Sequence, residues 1–354
     1  MEDTVKAFSV VYNPINKDNT FTGGDYISGS VTLELAKDCK IKSLYVQIKG
    51  KAKVRWTENY GRTVVVYSDK QKFFSIKQSV IQEFKGQGST TVGRGCHVYP
   101  FTFHIPEQDL PPTFRGSAGM IQYRVSAFLS RSMTLDRKAK APFTVYSKAN
   151  LNSSPELMTP QHSLKDQKLK LFNSGKVVMD VKIDKMGFCQ GEGMQVTAYI
   201  QNSSSRDIQP KYCLYRKTSF FAKKKRHVKT KDLVKEVGEP IPPSTSKHVI
   251  RVITAPAATD VSILNCSVIK HEYRLRVYLD VKYASDPEVK FPIVILPASA
   301  SPALDQLPAC LGHGGYGFEA FGNPLPTSAA SAPSAPPPPP SYGGYNLHPS
   351  LFEN

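Results

Sequence analysis

The chain's eight histidines and six cysteines have the most chemistry to offer, yet their spacing gives none. No histidine has a partner at metal-ligand spacing, and Cys39, Cys96, Cys189, Cys213, Cys266 and Cys310 form no Cys-x-x-Cys pair. Neither a Gly-x-Ser-x-Gly elbow nor a Walker loop occurs. Gly315 and Gly317 begin a Gly-x-Gly, but Ala320 stands where a third glycine is needed. The reading is therefore no catalytic residue, no metal and no cofactor. The thiols are expected to be mostly buried, in a reducing compartment. The Asn-x-Ser sequons at Asn152, Asn202 and Asn265 then carry no meaning, because glycosylation needs a secretory route.

The sharpest motif serves recognition. Pro339-Pro340-Ser341-Tyr342 closes the proline run 336–340 and reads Pro-Pro-x-Tyr. Prolines hold a polyproline II helix before binding, so docking loses little entropy. WW domains grip the two prolines between aromatic side chains and seat the tyrosine in a second pocket. The competing reading is a solvated spacer, since four-residue patterns are common in proline-rich sequence. Position on an arm after a folded body favours the WW ligand.

A basic run, Lys223-Lys224-Lys225-Arg226-His227-Val228-Lys229-Thr230-Lys231, is next. Its plain reading is a solvated hairpin loop following a strand at 212–215. Its functional reading is a patch of Lys223, Lys224, Lys225, Arg226, Lys229 and Lys231 facing acidic lipid head groups or acidic receptor tails. Arg137-Lys138-Ala139-Lys140 reads as a basic turn before the last strand of the first domain, the alternative being a widening of the same basic surface, and Trp56, the single tryptophan, reads as a residue of a core or its edge.

The elements that must position these residues are strands. Ile27, Val31, Leu33 and Leu35 keep a period of two, as do Leu44, Val46 and Ile48, then Phe101, Phe103 and Ile105. Val125, Ala127 and Leu129 repeat it, and so do Leu275, Val277 and Leu279. No stretch has a convincing helical period; one short helix in the first half remains open. The N-terminus lacks the apolar segment of a signal peptide, and no run approaches the length of a membrane span, so a soluble protein is expected.

Of the 354 residues, 40% are hydrophobic and 10% aromatic, enough for two ordinary cores. Net charge is +17, unevenly spread. Residues 298–354 hold Asp305, Glu319 and Glu353 and no Lys or Arg. Removing those three carboxylates from the 29, with all 46 basic residues kept, leaves a body of +20. Such a body favours anionic partners: nucleic acid, acidic lipid, or acidic or phosphorylated protein tails. Basic residues spread over many strands without a reading motif argue against nucleic acid.

An internal repeat organises the body. Gly24-Asp25-Tyr26-Ile27 and Gly191-Glu192-Gly193-Met194 open strands in one style; Ile121-Gln122-Tyr123-Arg124-Val125 and His271-Glu272-Tyr273-Arg274-Leu275 match in the same order. Two duplicated sandwiches follow: residues 7–147 form the first, 148–176 a polar interdomain linker, 177–297 the second, and 298–354 a disordered proline-rich tail.

At 95–106 the run Gly95-Cys96-His97-Val98-Tyr99-Pro100-Phe101-Thr102-Phe103-His104-Ile105-Pro106 resembles the signature of arrestin N-domains. Leu110-Pro111-Pro112-Thr113-Phe114, Ile121-Gln122-Tyr123 and Gly24-Asp25-Tyr26-Ile27-Ser28-Gly29 are similar to arrestin-domain-containing proteins as well. The resemblance covers residues 6–297, and the Pro-Pro-x-Tyr tail points to α-arrestins. It implies an all-β chain of two tandem immunoglobulin-like β-sandwich domains in the arrestin fold. It also implies a non-enzymatic adaptor, cytoplasmic and peripheral to plasma membrane and endosomes. The partners so implied are membrane receptors or transporters and a WW-domain HECT-type E3 ubiquitin ligase, with acidic phospholipids in addition. Cargo would be ubiquitinated, internalised and sorted to lysosomes. The alternative is a trafficking scaffold or receptor desensitiser that recruits no ligase. Many relatives carry two Pro-Pro-x-Tyr motifs; one is present here, which lowers avidity for tandem WW domains.

Overall fold

The expected alternation is the core. On the strand Cys39–Tyr60, Leu44, Val46 and Ile48 are fully buried while Tyr45 and Gln47 between them are not. The computed structural model describes residues 4–81, 89–132, 134–148, 154–168, 175–281 and 286–298. It is nearly all strand, arranged as two sandwiches.

In the first sandwich, Val5–Tyr12, Tyr26–Leu35 and Gly95–His104 form a three-stranded sheet in that order. It packs on a larger sheet ordered Thr20–Phe21, Arg137–Val145, Gly119–Arg131, Cys39–Tyr60, Thr63–Ile81. Two short strands add to this sheet, Thr90–Val92 beside Cys39–Tyr60 and Phe114–Arg115 beside Gly119–Arg131. The second sandwich sets Gln161–Lys168, Lys176–Ile183, Gly193–Ser203 and Thr245–Thr254 against Gly187–Cys189, Glu288–Leu296, Ile269–Asp280, Gln209–Ala222 and Lys225–Val237.

The repeat read from the sequence is a repeat of topology. Each larger sheet begins with a short strand parallel to the sandwich's last strand: Thr20–Phe21 on Arg137–Val145, and Gly187–Cys189 on Glu288–Leu296. Gly24 and Gly191 turn the chain at the same place, with φ of +90° and +82°, where an L side chain is strained. Asp25 accepts from the amide of Thr22 and Glu192 from that of Cys189, each three residues back. The buried Tyr123 donates its hydroxyl to the carbonyl of Pro111, as Tyr273 does to that of Asp260. A phenol buried so deeply needs an acceptor, and its pKa is driven upward by desolvation.

Several details differ from the sequence reading. The segment read as linker contains a 3-10 turn, Pro155–Met158, and an edge strand, Gln161–Lys168, paired along its length with Lys176–Ile183. Arg137–Lys140 is not a turn but the start of the strand Arg137–Val145, its Lys138 ammonium 4.0 Å over the Phe128 ring. Pro100 lies inside the edge strand Gly95–His104, with Phe101 and Phe103 turned into the core. Asn202 is wholly buried and Asn265 donates to Asp109 across the two sandwiches, so both side chains are engaged in the fold.

The sandwiches share one apolar seam. Phe220 and Ala222, at the end of Gln209–Ala222, belong to the core of the first sandwich, together with Ile263, Cys266, Val268 and Ile269. A Cβ at Gly116 or Gly119 would meet the Phe220 ring at 3.1 or 3.0 Å, which measures how closely that ring is packed. Gln71 accepts from both the amide and the hydroxyl of Ser267, at 2.7 and 2.8 Å.

Candidate functional site

The basic run builds a hairpin at this seam. Only Lys223 and Lys224 are loop; Lys225–Val237 is strand, paired antiparallel to Gln209–Ala222. The expectation of a solvated loop thus holds for two residues and fails for the rest. Alternating residues of an edge strand still reach solvent, so a strand and a loop look alike here in charge content. Both turn lysines have positive φ, 48° and 64°, as a two-residue hairpin turn demands. Asparagine and glycine fit that turn with less strain than lysine.

Once the turn is placed, register and the period of two sort the predicted patch. Lys229 pairs with Thr218 and Lys231 with Arg216, while His227, on the same face, stacks on Trp56 at 5.6 Å. Arg226 is on the opposite face, over the Phe221 ring and donating to the Ser219 hydroxyl at 2.8 Å. The six residues are therefore not one patch. Trp56, read from the sequence as a residue of a core or its edge, is buried against Tyr67 and His227. Its indole N–H donates to Glu58, which also receives the Tyr60 hydroxyl; these bonds, with Lys225 and His227 nearby, hold that carboxyl below its usual range.

Two residues join the site that sequence reasoning had not singled out. Arg115, on the short strand Phe114–Arg115, and Arg216 line the same cavity as Lys229 and Lys231. Arg216 was findable, because a turn at Lys223–Lys224 sets it opposite Lys231. Arg115 comes from the other sandwich and gave no signal.

Below the cavity lies His271, 1% exposed, with the Phe114 ring at 5.1 Å. The Tyr273 hydroxyl spends its proton on the Asp260 carbonyl, so it accepts from His271 Nε2 at 2.9 Å. Nδ1 is then the acceptor for the Thr218 hydroxyl at 3.0 Å. The ring is neutral, its pKa lowered to about 3 by burial and by Arg216. The Asp260 carboxylate at 3.9 Å pulls the other way, but it is more than half exposed and bound to Arg216, so burial prevails. A histidine whose folded pKa lies below its unfolded value contributes stability above that unfolded value, near 6.5, and loses it as pH falls toward 3. Between pH 7 and 5 the expected loss is about 2 kcal/mol. Urea titrations at the two pH values should show this loss in the parent and a shallower one in His271→Gln; equal slopes would contradict the assignment.

Cys39, Cys189, Cys213 and Cys266 are buried thiols and Cys96 an exposed one. Burial raises the pKa of Cys213 and Cys266, which makes them poor nucleophiles. Cys310 and Pro339, Pro340, Ser341 and Tyr342 lie outside the described residues. Among the described residues no three His, Cys, Asp or Glu side chains are placed to hold a metal, and no helix is long and apolar enough to cross a membrane.

Residues 8–152 match the family model for the N-terminal domain of arrestin (or S-antigen), and residues 173–299 match that for its C-terminal domain. The mouse arrestin domain-containing protein 4 is 29% identical over 303 residues, 82% of this chain and 72% of its own length. The rat thioredoxin-interacting protein is 26% identical over 297 residues, 82% of this chain and 74% of its own. The chain belongs to the α-arrestin family. The arrestin signature at 95–106 then has a structural reason: Phe101, Phe103 and Ile105 supply an edge of the first core. The arrestin seam, with Phe220 inside the first core and His271 beneath the cavity, is where the two sandwiches are fastened.

Proposed function

We propose that this arrestin is an adaptor that links membrane receptors or transporters to a WW-domain HECT-type E3 ubiquitin ligase, promoting cargo ubiquitination, endocytosis and lysosomal sorting. The observation that carries the reading is Pro339-Pro340-Ser341-Tyr342, a WW ligand, following a two-sandwich arrestin body. The body selects cargo and the tail brings the ligase, so the protein works in the cytoplasm, at the surface of plasma membrane and endosomes. Neither half of the bridge calls for catalysis. The cations of the 223–231 hairpin add attraction to acidic phospholipids of the cytoplasmic leaflet.

Proximity labelling in cells with intact and Tyr342→Ala protein tests the bridge. The expected outcome is loss of HECT ligases with retention of membrane cargo in the variant. Retention of both would favour an arrestin scaffold that works without the ligase.

A further inference from the structure

A β-sheet edge that nothing covers is a template for another strand, and proteins protect such edges with bulges, prolines or charge. Among the described residues the long edge strands are protected in this way, with one exception. Val5–Tyr12, Thr63–Ile81 and Lys225–Val237 each carry a bulge against their single neighbour. Gly95–His104 holds Pro100, and Gln161–Lys168 exposes Lys165, Asp166 and Lys168. Thr245–Thr254 has none of these defences. It pairs with Gly193–Ser203 along its whole length without a register shift, contains no proline, and has no strand on its other side among the described residues.

The two faces of this strand differ in character. Lys247, Val249, Arg251 and Ile253 are on the inner face, where Ile253 is buried and Lys247 is bound to Glu239. The outer face carries Ser246, His248, Ile250, Val252 and Thr254, with no Lys, Arg, Asp or Glu. Ile250 is 65% exposed and Val252 55%, and the His248 ring rests against Tyr199 of the next strand at 4.7 Å. β-branched side chains standing in water along an open edge gain by cross-strand pairing.

The strand is complementary to itself. Two copies laid antiparallel, with Ile250 opposite Ile250, set Val252 opposite His248 and Thr254 opposite Ser246 on the outer face. On the inner face Arg251 then meets Val249, and Lys247 meets Ile253. Directly opposite residues share a face, so the nearest competing registers are shifted by two residues. One of these puts Arg251 against Arg251 and the other puts Lys247 against Arg251. Like charges directly opposite destabilise a strand pair, so charge selects the register about Ile250.

We propose that Thr245–Thr254 is a self-association edge, through which two copies of this chain join the four-stranded sheets of their second sandwiches, antiparallel about Ile250. An interface of one strand from each chain is small and belongs to the transient class. Pairing puts two copies of Pro339-Pro340-Ser341-Tyr342 on one particle, which raises avidity for tandem WW domains. That consequence rests on the adaptor reading; the pairing itself does not.

Sedimentation equilibrium of the full chain between about 1 and 100 µM reads the association. The average mass is expected to rise from that of one chain toward that of two. Ile250→Lys and Ile250→Glu each set a like charge against their own copy, and each should weaken association by about tenfold or more. Mixed one to one, the two variants should associate again, because lysine then faces glutamate. The position is exposed, and unchanged circular dichroism will confirm folding. Leu164→Lys, at the opposite edge of the same sheet and 60% exposed, should associate as the parent does. A parent that stays monomeric throughout would overturn the proposal and leave the edge to residues 299–354 or to a foreign strand. So would a dimer that Ile250→Lys leaves intact, or a mixture of the two variants that stays monomeric, since another face or register would then be in use. No WW domain enters the measurement, so the pairing and the adaptor reading can fail separately.

Discussion

Exchanging Phe220 for alanine is expected to lower stability by about 3–5 kcal/mol and to separate the unfolding of the two sandwiches. The ring is 1% exposed and sits in the core of the sandwich to which its own strand does not belong. Its neighbours Gly116 and Gly119 are already at close range and cannot collapse into the space without moving backbone. A void therefore remains, and the apolar part of the seam loses its largest side chain. In urea the parent should unfold in one transition and Phe220→Ala in two, or in one of reduced slope. Phe221 is the control. It points the other way, beneath Arg226, and its removal should cost about 1 kcal/mol or less. Equal effects from both would mean that the seam is not fastened by Phe220.

Asn202→Ala should cost about 3 kcal/mol or more. Its amide nitrogen donates to the carbonyls of Arg206, Ile241 and Pro242, two protons shared among three acceptors. Its oxygen accepts from the amide and hydroxyl of Ser204 at 3.1 and 2.6 Å. The side chain thus cross-links the loop after Gly193–Ser203 to the segment before Thr245–Thr254. Alanine leaves these buried groups without partners, and each such group carries a desolvation penalty. Aspartate should do no better, since it accepts but cannot donate. Serine at a surface site such as Asn59 is the comparison, with an expected change within about 0.5 kcal/mol. A midpoint for Asn202→Ala close to the parent's would show that water replaces the network.

These effects rest on residues whose roles were unevenly legible. Leu44, Val46 and Ile48 announced a strand because all three face the core while the residues between them do not. Tyr123 and Tyr273 announced a duplication because each capped loop needs a buried phenol at the same place. Gln161–Lys168 was not legible. It is an edge strand with no buried residue, and its one aliphatic side chain, Leu164, faces solvent, so no alternation exists to read. Arg137–Val145 was half-legible: Phe143 and Val145 mark its end, but the inward positions before them are the small Ala139 and Ala141, between charged residues. At the site, the charge of the hairpin was visible, but not its division between two faces. That division follows from a two-residue turn whose lysines have positive φ, and a lysine pair gives little warning of such a turn. Arg115 was invisible for a different reason: its partners belong to the other sandwich, and only tertiary packing brings them together.

Titration of the intact chain into a purified WW domain, beside Tyr342→Ala, bears most directly on the adaptor account. Saturable binding by the parent and none by the variant is predicted, and Phe220→Ala should bind as the parent does because the motif follows both matched domains in the sequence. Indistinguishable curves for parent and Tyr342→Ala would contradict the account, since Pro-Pro-x-Tyr would then not be what recruits the ligase.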